Sequence, residues 1–214
     1  GETMSIAREG WPYIIAPLVV GLLLCLRWPW PGAVVLVLGL FSAFFFRDPE
    51  RRIPEGAGLV VSPADGKVVQ IVPAPAEGPL GPGATQVSIF LSIFNVHVNR
   101  APIAGRVAAV SYNAGDFLPA FDDKASLRNE QNCVTLAGDG QRVVFKQIAG
   151  LIARRIVFRK REGDQVARGE RVGLIKFGSR VDVLLPAGVE LRVAVGERVA
   201  GGSSVLAVFP EGGR

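Results

Sequence analysis

Two segments near the C-terminus carry one pattern, and a pattern that recurs at fixed spacing is expected to fold the same way twice. "GDQVARGERVGLI" (163–175) aligns with "GERVAGGSSVLAV" (196–208) at an offset of 33 residues. The alignment pairs Gly163 with Gly196, Val166 with Val199, Ala167 with Ala200, Gly169 with Gly202 and Val172 with Val205. Valine, then glycine, then valine again predicts a strand, a tight turn and a second strand in each copy. The copies diverge at the turn. The first reads Arg168-Gly169-Glu170-Arg171, ordinary solvent-facing residues, whereas the second reads Gly201-Gly202-Ser203-Ser204. Charge is gone there, and a hydroxyl stands beside the turn glycine. A local rule broken inside a repeat is where function is expected.

The rest of the body also points to strands. "GLVVSPADGKVVQIV" (58–72), "TQVSIFLSIFNVHV" (85–98), "GRVAAVSY" (105–112), "NCVTLAG" (132–138) and "QRVVFKQIAG" (141–150) are β-branched runs punctuated by Gly, Pro and Asp. No long amphipathic helix stands out among them. The repeat is similar to the hammerhead units of lipoyl and biotinyl carrier domains. The expected fold class is mainly β, a β-rich α+β chain: a barrel-sandwich, hammerhead-like β domain behind an N-terminal hydrophobic helical hairpin.

That hairpin is read from "PYIIAPLVVGLLLCL" (12–26) and "GAVVLVLGLFSAFFF" (32–46), separated by "RWPWP" (27–31). Fifteen helical residues span about 22 Å, short of a hydrocarbon core of about 30 Å. The two runs are therefore read together as a membrane anchor, with Trp28 and Trp30 at the interface. "LVVGLLLCL" has no polar face, which argues against a hairpin buried in a soluble core. No small-residue cleavage site follows, which argues against a signal peptide. Arg8 on one side and Arg47, Arg51 and Arg52 on the other put both ends, and so the body, on the cytoplasmic side of the cell (inner) membrane. The expected organisation is a cloning remnant over residues 1–3, an anchor over 4–50 and a β-rich catalytic domain over 51–214.

Residues 1–50 hold three Arg against four acids, a formal −1, so the total of +5 leaves +6 on residues 51–214. A basic body suits an anionic partner, whether nucleic acid, a membrane surface or a phosphorylated substrate. Cys25 and Cys133 form no CxxC or Cys/His cluster, which argues against a disulfide framework or a structural zinc site. Metal-ligand spacing, a P-loop and GxGxxG are all lacking, so a metal or nucleotide enzyme has no support.

A serine hydroxyl after a flexible glycine can attack the carbonyl of its own preceding peptide bond, given a base, an orienting acid and open approach. Gly202 removes the Cβ that would crowd that carbonyl, and both glycines admit strained backbone angles. The chain has one histidine, His97, as candidate base. Strand alternation along "VSIFLSIFNVHVN" places Val87, Ile89, Leu91, Ile93, Asn95, His97 and Asn99 on one face, which begins apolar and turns polar at its end. Asp65, in the Pro-Ala-Asp-Gly turn of "VSPADGKVV", is the candidate acid, although most Asp-Gly pairs serve only as turns. "FDDKASLRNEQN" (121–132) is a third polar cluster.

"FFFRDPERRIP", "VSPADGKV", "SIFLSIFNVHVNRAPIAG", "FDDKASLRNEQN", "GLIARRI", "VARGERVGLIKFGSRVDVLLP" and "GGSS" resemble, in that order, the phosphatidylserine decarboxylase proenzymes in their short bacterial and archaeal form. The resemblance covers nearly the whole chain after about residue 44. It implies a self-cleaving enzyme of phospholipid biosynthesis. Ser203 attacks the Gly202 carbonyl, and elimination from the resulting ester separates residues 1–202 from 203–214. A covalent pyruvoyl group generated from Ser203 is left heading the short chain. Asp65 and His97 match the family's acid and base. The pyruvoyl carbonyl condenses with the amine of phosphatidylserine and takes up the electrons released with CO2, and His97 returns a proton to give phosphatidylethanolamine. A hydrogen-bonded Asp65–His97 pair is expected to orient the ring.

Partners implied are phosphatidylserine, an anionic membrane and the two cleaved chains, with no nucleic acid and no metal; a homodimer is left open. Asn95, Asn99, Arg154 and Arg155 are substrate-binding candidates, with Arg47, Arg51 and Arg52 as further lipid-phosphate candidates. Two departures stand out. Many members carry two histidines ahead of the proline matching Pro102, and this chain has Arg100 at the second, so His97 serves both steps unless another group shares the work. Gly-Gly-Ser-Ser also stands where Leu-Gly-Ser-Thr is common. The rival reading is a membrane-anchored carrier or adaptor of lipoyl-like hammerhead fold without catalysis, its carrier lysine Lys124 in "FDDKASL". Lys124 lies well outside the repeat, which weighs against it.

Overall fold

The computed structural model describes residues 4–115, 129–150, 155–176 and 179–210. The chain divides into two compact units, Gly1–Glu50 and Arg51–Arg214.

In the first unit the helices Trp11–Cys25 and Pro29–Phe45 pack on one another through glycines. A Cβ at Gly21 would fall 2.8 Å from Leu36 Cγ, one at Gly39 2.9 Å from Leu18 Cδ2 and one at Gly32 2.5 Å from Cys25 N. Small residues along a seam let two helix backbones approach closely. Apolar side chains such as Leu22, Leu23, Val34 and Leu40 remain exposed on the outside. Proline suits the first turn of a helix, so the second helix starts at Pro29. Trp30 and Pro31, expected in the linker, are therefore helical, and only residues 26–28 connect. The stretch Arg8–Cys25 is long and apolar enough to cross a membrane by length and composition, and Pro29–Phe45 is a shorter apolar helix. Met4–Ile6 pairs antiparallel with Arg47–Pro49.

The second unit is β, as expected. An eight-stranded antiparallel sheet runs in the spatial order Gln165–Val166, Gly105–Asn113, Gln131–Gly138, Gln141–Ala149, Ser179–Leu185, Thr85–Leu91, Gly66–Pro73, Arg198–Val199. Val87, Ile89, Leu91, Val134, Phe145, Val181 and Val183 bury their side chains on its inner face. The first strands of the two repeats cap the two edges of this sheet. After its turn each repeat becomes the middle strand of a three-stranded sheet. Arg171–Ile175 lies between Ile156–Phe158 and Val98–Arg100, and Val205–Val208 between Glu190–Leu191 and Leu59–Val61. Paired glycines share their backbone conformation: φ is +94° at Gly163 and +100° at Gly196, +76° at Gly169 and +81° at Gly202.

The segments that receive the repeats are themselves related, a second repeat that the sequence reading missed. Residues 59–73 match 98–112 at an offset of 39, with Ser62-Pro63-Ala64-Asp65-Gly66 against Ala101-Pro102-Ile103-Ala104-Gly105. The two arms clasp reciprocally. Val61 N–H donates to Pro102 O, and Arg100 N–H donates to Pro63 O, both at 2.9 Å. The body is thus two related halves. Asp65 and the Gly-Gly-Ser-Ser turn belong to one half, and the other has Ala104 and Arg-Gly-Glu-Arg in their places.

The single strand expected through 87–99 is in fact two, Thr85–Leu91 and Val98–Arg100. Alternation holds as far as Leu91. Beyond it, Ser92 donates from its N–H (2.9 Å) and its hydroxyl (2.8 Å) to Asn95 Oδ1, and Asn95 N–H donates to Ser92 O (2.9 Å). This turn throws Ile93 out of the core phase and into solvent. Local side-chain bonds of this kind compete directly with a strand ladder.

Candidate active site

Each backbone N–H from Ala200 to Ser204 has a partner. Ala200 N–H donates to Ser204 Oγ at 2.9 Å and Gly201 N–H to Asp65 Oδ1 at 2.7 Å. Gly202 N–H donates to Ser62 O at 2.8 Å, and Ser203 and Ser204 N–H donate to Ala200 O at 3.1 and 3.0 Å. Ser62 N–H returns a bond to Ser204 O at 2.8 Å. The turn is therefore over-determined, which lets an uncommon backbone geometry persist. The same bonds separate the two serines. Ser204 uses its hydroxyl to close the turn, whereas Ser203 Oγ has no hydrogen-bond partner among the described residues.

The two glycines meet different constraints, the one at Gly202 the stricter. At Gly201 a Cβ would sit 3.3 Å from Asp65 Oδ1, so a side chain would press on the carboxylate that holds the turn. At Gly202 φ is +81°, a region that L-residues seldom adopt, and a Cβ would meet Arg100 Cδ at 2.8 Å and Ile53 Cδ1 at 3.0 Å.

Asp65 is anchored on the turn and on Arg51, whose Nη2 lies 2.7 Å from Asp65 Oδ2, both side chains being about one-sixth exposed (17% and 15%). Arg51, considered for lipid phosphate, thus has a partner inside the site. Two residues further on, Ile53 wedges against the glycines of both repeat turns, Gly169 and Gly202. Arg168, expected to face solvent, donates to Pro54 O (2.6 Å) and Gly56 O (2.8 Å) and clamps this segment. Arg100 is buried, packs its chain against Gly202 and donates to Gly169 O at 3.0 Å. Sequence reading treated Arg100 only as a missing histidine. Ile53 and Arg100 are the site residues it did not anticipate, and Arg51 it considered only for lipid phosphate; for Arg100 the signal available was the 39-residue repeat, in which it aligns with the apolar Val61.

His97 is buried, with Nδ1 2.9 Å from Asn95 O, while its own carbonyl accepts from Ile175 N–H at 3.3 Å. A carbonyl can only accept, so Nδ1 carries the proton and Nε2 is the basic nitrogen of the neutral ring. The acceptor that orients Nδ1 is thus a backbone carbonyl. Asn95 serves twice, closing the 92–95 turn with its side chain and holding the ring with its backbone. Asn99 is buried in a polar chain: Asn132 donates to Gln147 at 3.0 Å, and Gln147 to Asn99 at 2.9 Å. Arg155 is exposed, and Arg154 lies outside the described residues. In the 121–132 motif, Asn129 donates to Ala149 O at 2.7 Å and Glu130 accepts from the Tyr112 hydroxyl at 2.9 Å, a bond that raises the Tyr112 pKa. Residues 121–128, Lys124 included, lie outside the described residues. Among the described residues there is no metal-capable group of three or more His, Cys, Asp or Glu.

A family model of phosphatidylserine decarboxylase matches residues 38–207, a span containing Asp65, His97, Arg100, Gly202 and Ser203. The chain belongs to the phosphatidylserine decarboxylase family. The phosphatidylserine decarboxylase proenzyme of Solibacter usitatus is 52% identical over 205 residues, covering 95% of this chain and 97% of that relative. Those of Syntrophus aciditrophicus and Geobacter sulfurreducens are 49% and 46% identical, covering 95% and 98% of this chain and 97% and 99% of the relatives. Membership makes the chain a decarboxylase, and the noncatalytic carrier or adaptor reading is not favoured.

Proposed function

We propose that the chain is the self-cleaving precursor of a pyruvoyl-dependent enzyme that converts phosphatidylserine to phosphatidylethanolamine and CO2 in phospholipid biosynthesis. The observation that carries this reading is the turn at 200–204. All its N–H groups are held, one hydroxyl is left without a partner among the described residues, and the adjoining acyl residue has no side chain. Ser203 Oγ attacks the Gly202 carbonyl carbon, with His97 Nε2 as base, and the C–N bond breaks to give an ester and a free amine on residue 203. Arg100, packed on Gly202, sets a cation beside the bond being broken, where negative charge builds. This answers the lack of a second histidine: charge stabilisation is given to an arginine and proton transfer stays with His97.

Loss of the Ser203 α-proton then expels Gly202 as a carboxylate, and water replaces the nitrogen, which leaves as ammonia. The group so formed supplies a carbonyl for the substrate amine and a sink for the electron pair left by CO2. The turn suits such a group. Its bonds to Ser204 Oγ, Ser204 O, Asp65 and Ser62 do not use the Ser203 side chain, so they survive conversion of that residue. Asp65 and Arg51 hold the turn, and His97 returns the proton. The glycine-seamed apolar hairpin supplies the anchor in the cell membrane, with the body on the cytoplasmic side.

Ser203→Ala and Ser204→Ala test the assignment side by side. Wild type is expected to separate into residues 1–202 and 203–214 on a denaturing gel. Ser203→Ala stays whole and has no decarboxylase activity. Ser204→Ala loses one turn bond and cleaves up to about tenfold more slowly. Cleavage of Ser203→Ala would overturn the reading.

A further inference from the structure

Within the second unit, Phe94 is the most exposed large apolar side chain among the described residues, at 64%, ahead of Tyr112 at 60% and Val195 at 59%. Ile93 beside it is 37% exposed, and the two are the only adjacent pair among those residues. They form the tip of the turn closed by Ser92 and Asn95. Two exposed apolar residues on a floppy loop would mean little. Here Asn95 fixes the tip with its side chain and the His97 ring with its backbone oxygen, so one residue ties tip to ring. The backbone beside His97 also carries two basic residues: Ile175 N–H donates to His97 O, and the N–H of the next residue, Lys176, itself buried, donates to the backbone carbonyl of exposed Arg155.

We infer that Ile93 and Phe94 insert into an anionic lipid surface and thereby bring His97 to the headgroup layer. The inference rests on the function proposed above, because it takes His97 to be the catalytic base. Dimensions fit. Three residues of chain span at most about 10 Å. The headgroup zone is roughly 5–8 Å deep on each side of the hydrocarbon, and interfacial apolar residues reach about 5–10 Å into that boundary. A phenyl ring at the top of the acyl region therefore leaves His97 level with serine headgroups. The carboxylate to be lost lies in that layer. An apolar tip beside a cationic flank is the combination that favours anionic over neutral lipid.

The test uses the full chain with Ile93→Ser and Phe94→Ser combined, and Phe94→Trp as the apolar control. Three readouts are needed: self-cleavage, turnover of a short-chain phosphatidylserine present as monomers, and turnover of phosphatidylserine in phosphatidylcholine vesicles. The double variant is expected to cleave and to turn over the monomeric lipid like wild type. On vesicles its kcat/KM should fall at least about tenfold, mainly through KM, since two buried apolar side chains contribute far more than one decade of affinity. Phe94→Trp should keep vesicle turnover within about twofold of wild type, because tryptophan also suits the interface. An equal fall on both substrates, or no fall on vesicles, would overturn the inference. So would an altered oligomeric state with vesicle turnover intact, which would make the tip a contact between copies. Failure of wild type to cleave would instead overturn the function on which the inference rests.

Discussion

Replacing Gly202 with alanine should disable cleavage, while the same change at Gly201 should not. At Gly202 φ is +81°, and holding an L-residue there costs about 1–2 kcal/mol. The new methyl would also lie 2.8 Å from Arg100 Cδ and 3.0 Å from Ile53 Cδ1. Arg100 cannot swing aside freely, since it is buried and its guanidinium is bonded to Gly169 O. Overpacking of this kind costs about 1–3 kcal/mol. Together the attack-ready turn loses about 2–5 kcal/mol relative to alternatives. At about 1.4 kcal/mol per decade, its population and the cleavage rate drop between about 30-fold and several thousand-fold. Gly201 has no positive φ, and its nearest would-be contacts are at 3.3–3.4 Å, so alanine there should slow cleavage by less than about tenfold. The assay is a time course of full-length chain on a denaturing gel after rapid purification. Wild-type kinetics for Gly202→Ala, or a larger defect for Gly201→Ala, would refute the steric reasoning.

Arg51→Met removes the cation paired with Asp65 Oδ2 in a largely buried pair; cleavage should slow about 10- to 100-fold, followed by gel, with the fold retained by circular dichroism. Arg100→Gln should slow cleavage, and guanidinium added to Arg100→Gly should restore part of the rate, which a purely structural role would not allow. Burial pushes the Glu170 carboxyl upward, but its bonds to Lys160 and Ala167 N–H prevail and hold it below the ordinary 4.5. A lowered carboxylate stabilises above that pH and loses its effect as pH falls through the folded value. Lys160→Met should therefore cost up to about 1 kcal/mol at pH 7, discounted for the exposure of this pair, and progressively less below pH 4.5, measured by thermal melts.

Much of the fold was legible because its determinants are local. Gly163, Gly169, Gly196 and Gly202 mark the positive-φ turns, and valines at fixed offsets mark the strands. The Gly-Gly-Ser-Ser turn stood out as a departure from that repeat. The 59–73 and 98–112 repeat escaped notice because its identities are few, Pro63 with Pro102, Gly66 with Gly105 and Val68 with Val107. The break in the long strand was hidden by Ile93, whose apolar character continues the alternation while Ser92 and Asn95 end the strand by side-chain bonding. Arg51 and Arg100 take their roles from segments that meet only in three dimensions. Arg51 reaches Asp65 fourteen residues on, and Arg100 lies against Gly202 from the opposite half of the body. Nothing around Arg51 in the sequence distinguishes it from a surface cation, and Arg100 has only its place opposite Val61 in a repeat of few identities.

The most direct measurement is the intact mass of the wild-type protein after denaturation, with attention to the segment following Gly202. The expected result is two chains, the smaller comprising residues 203–214, refractory to Edman sequencing and lighter by one ammonia than simple hydrolysis would give. A single chain of 214 residues, or a small fragment bearing an ordinary N-terminal serine, would contradict it.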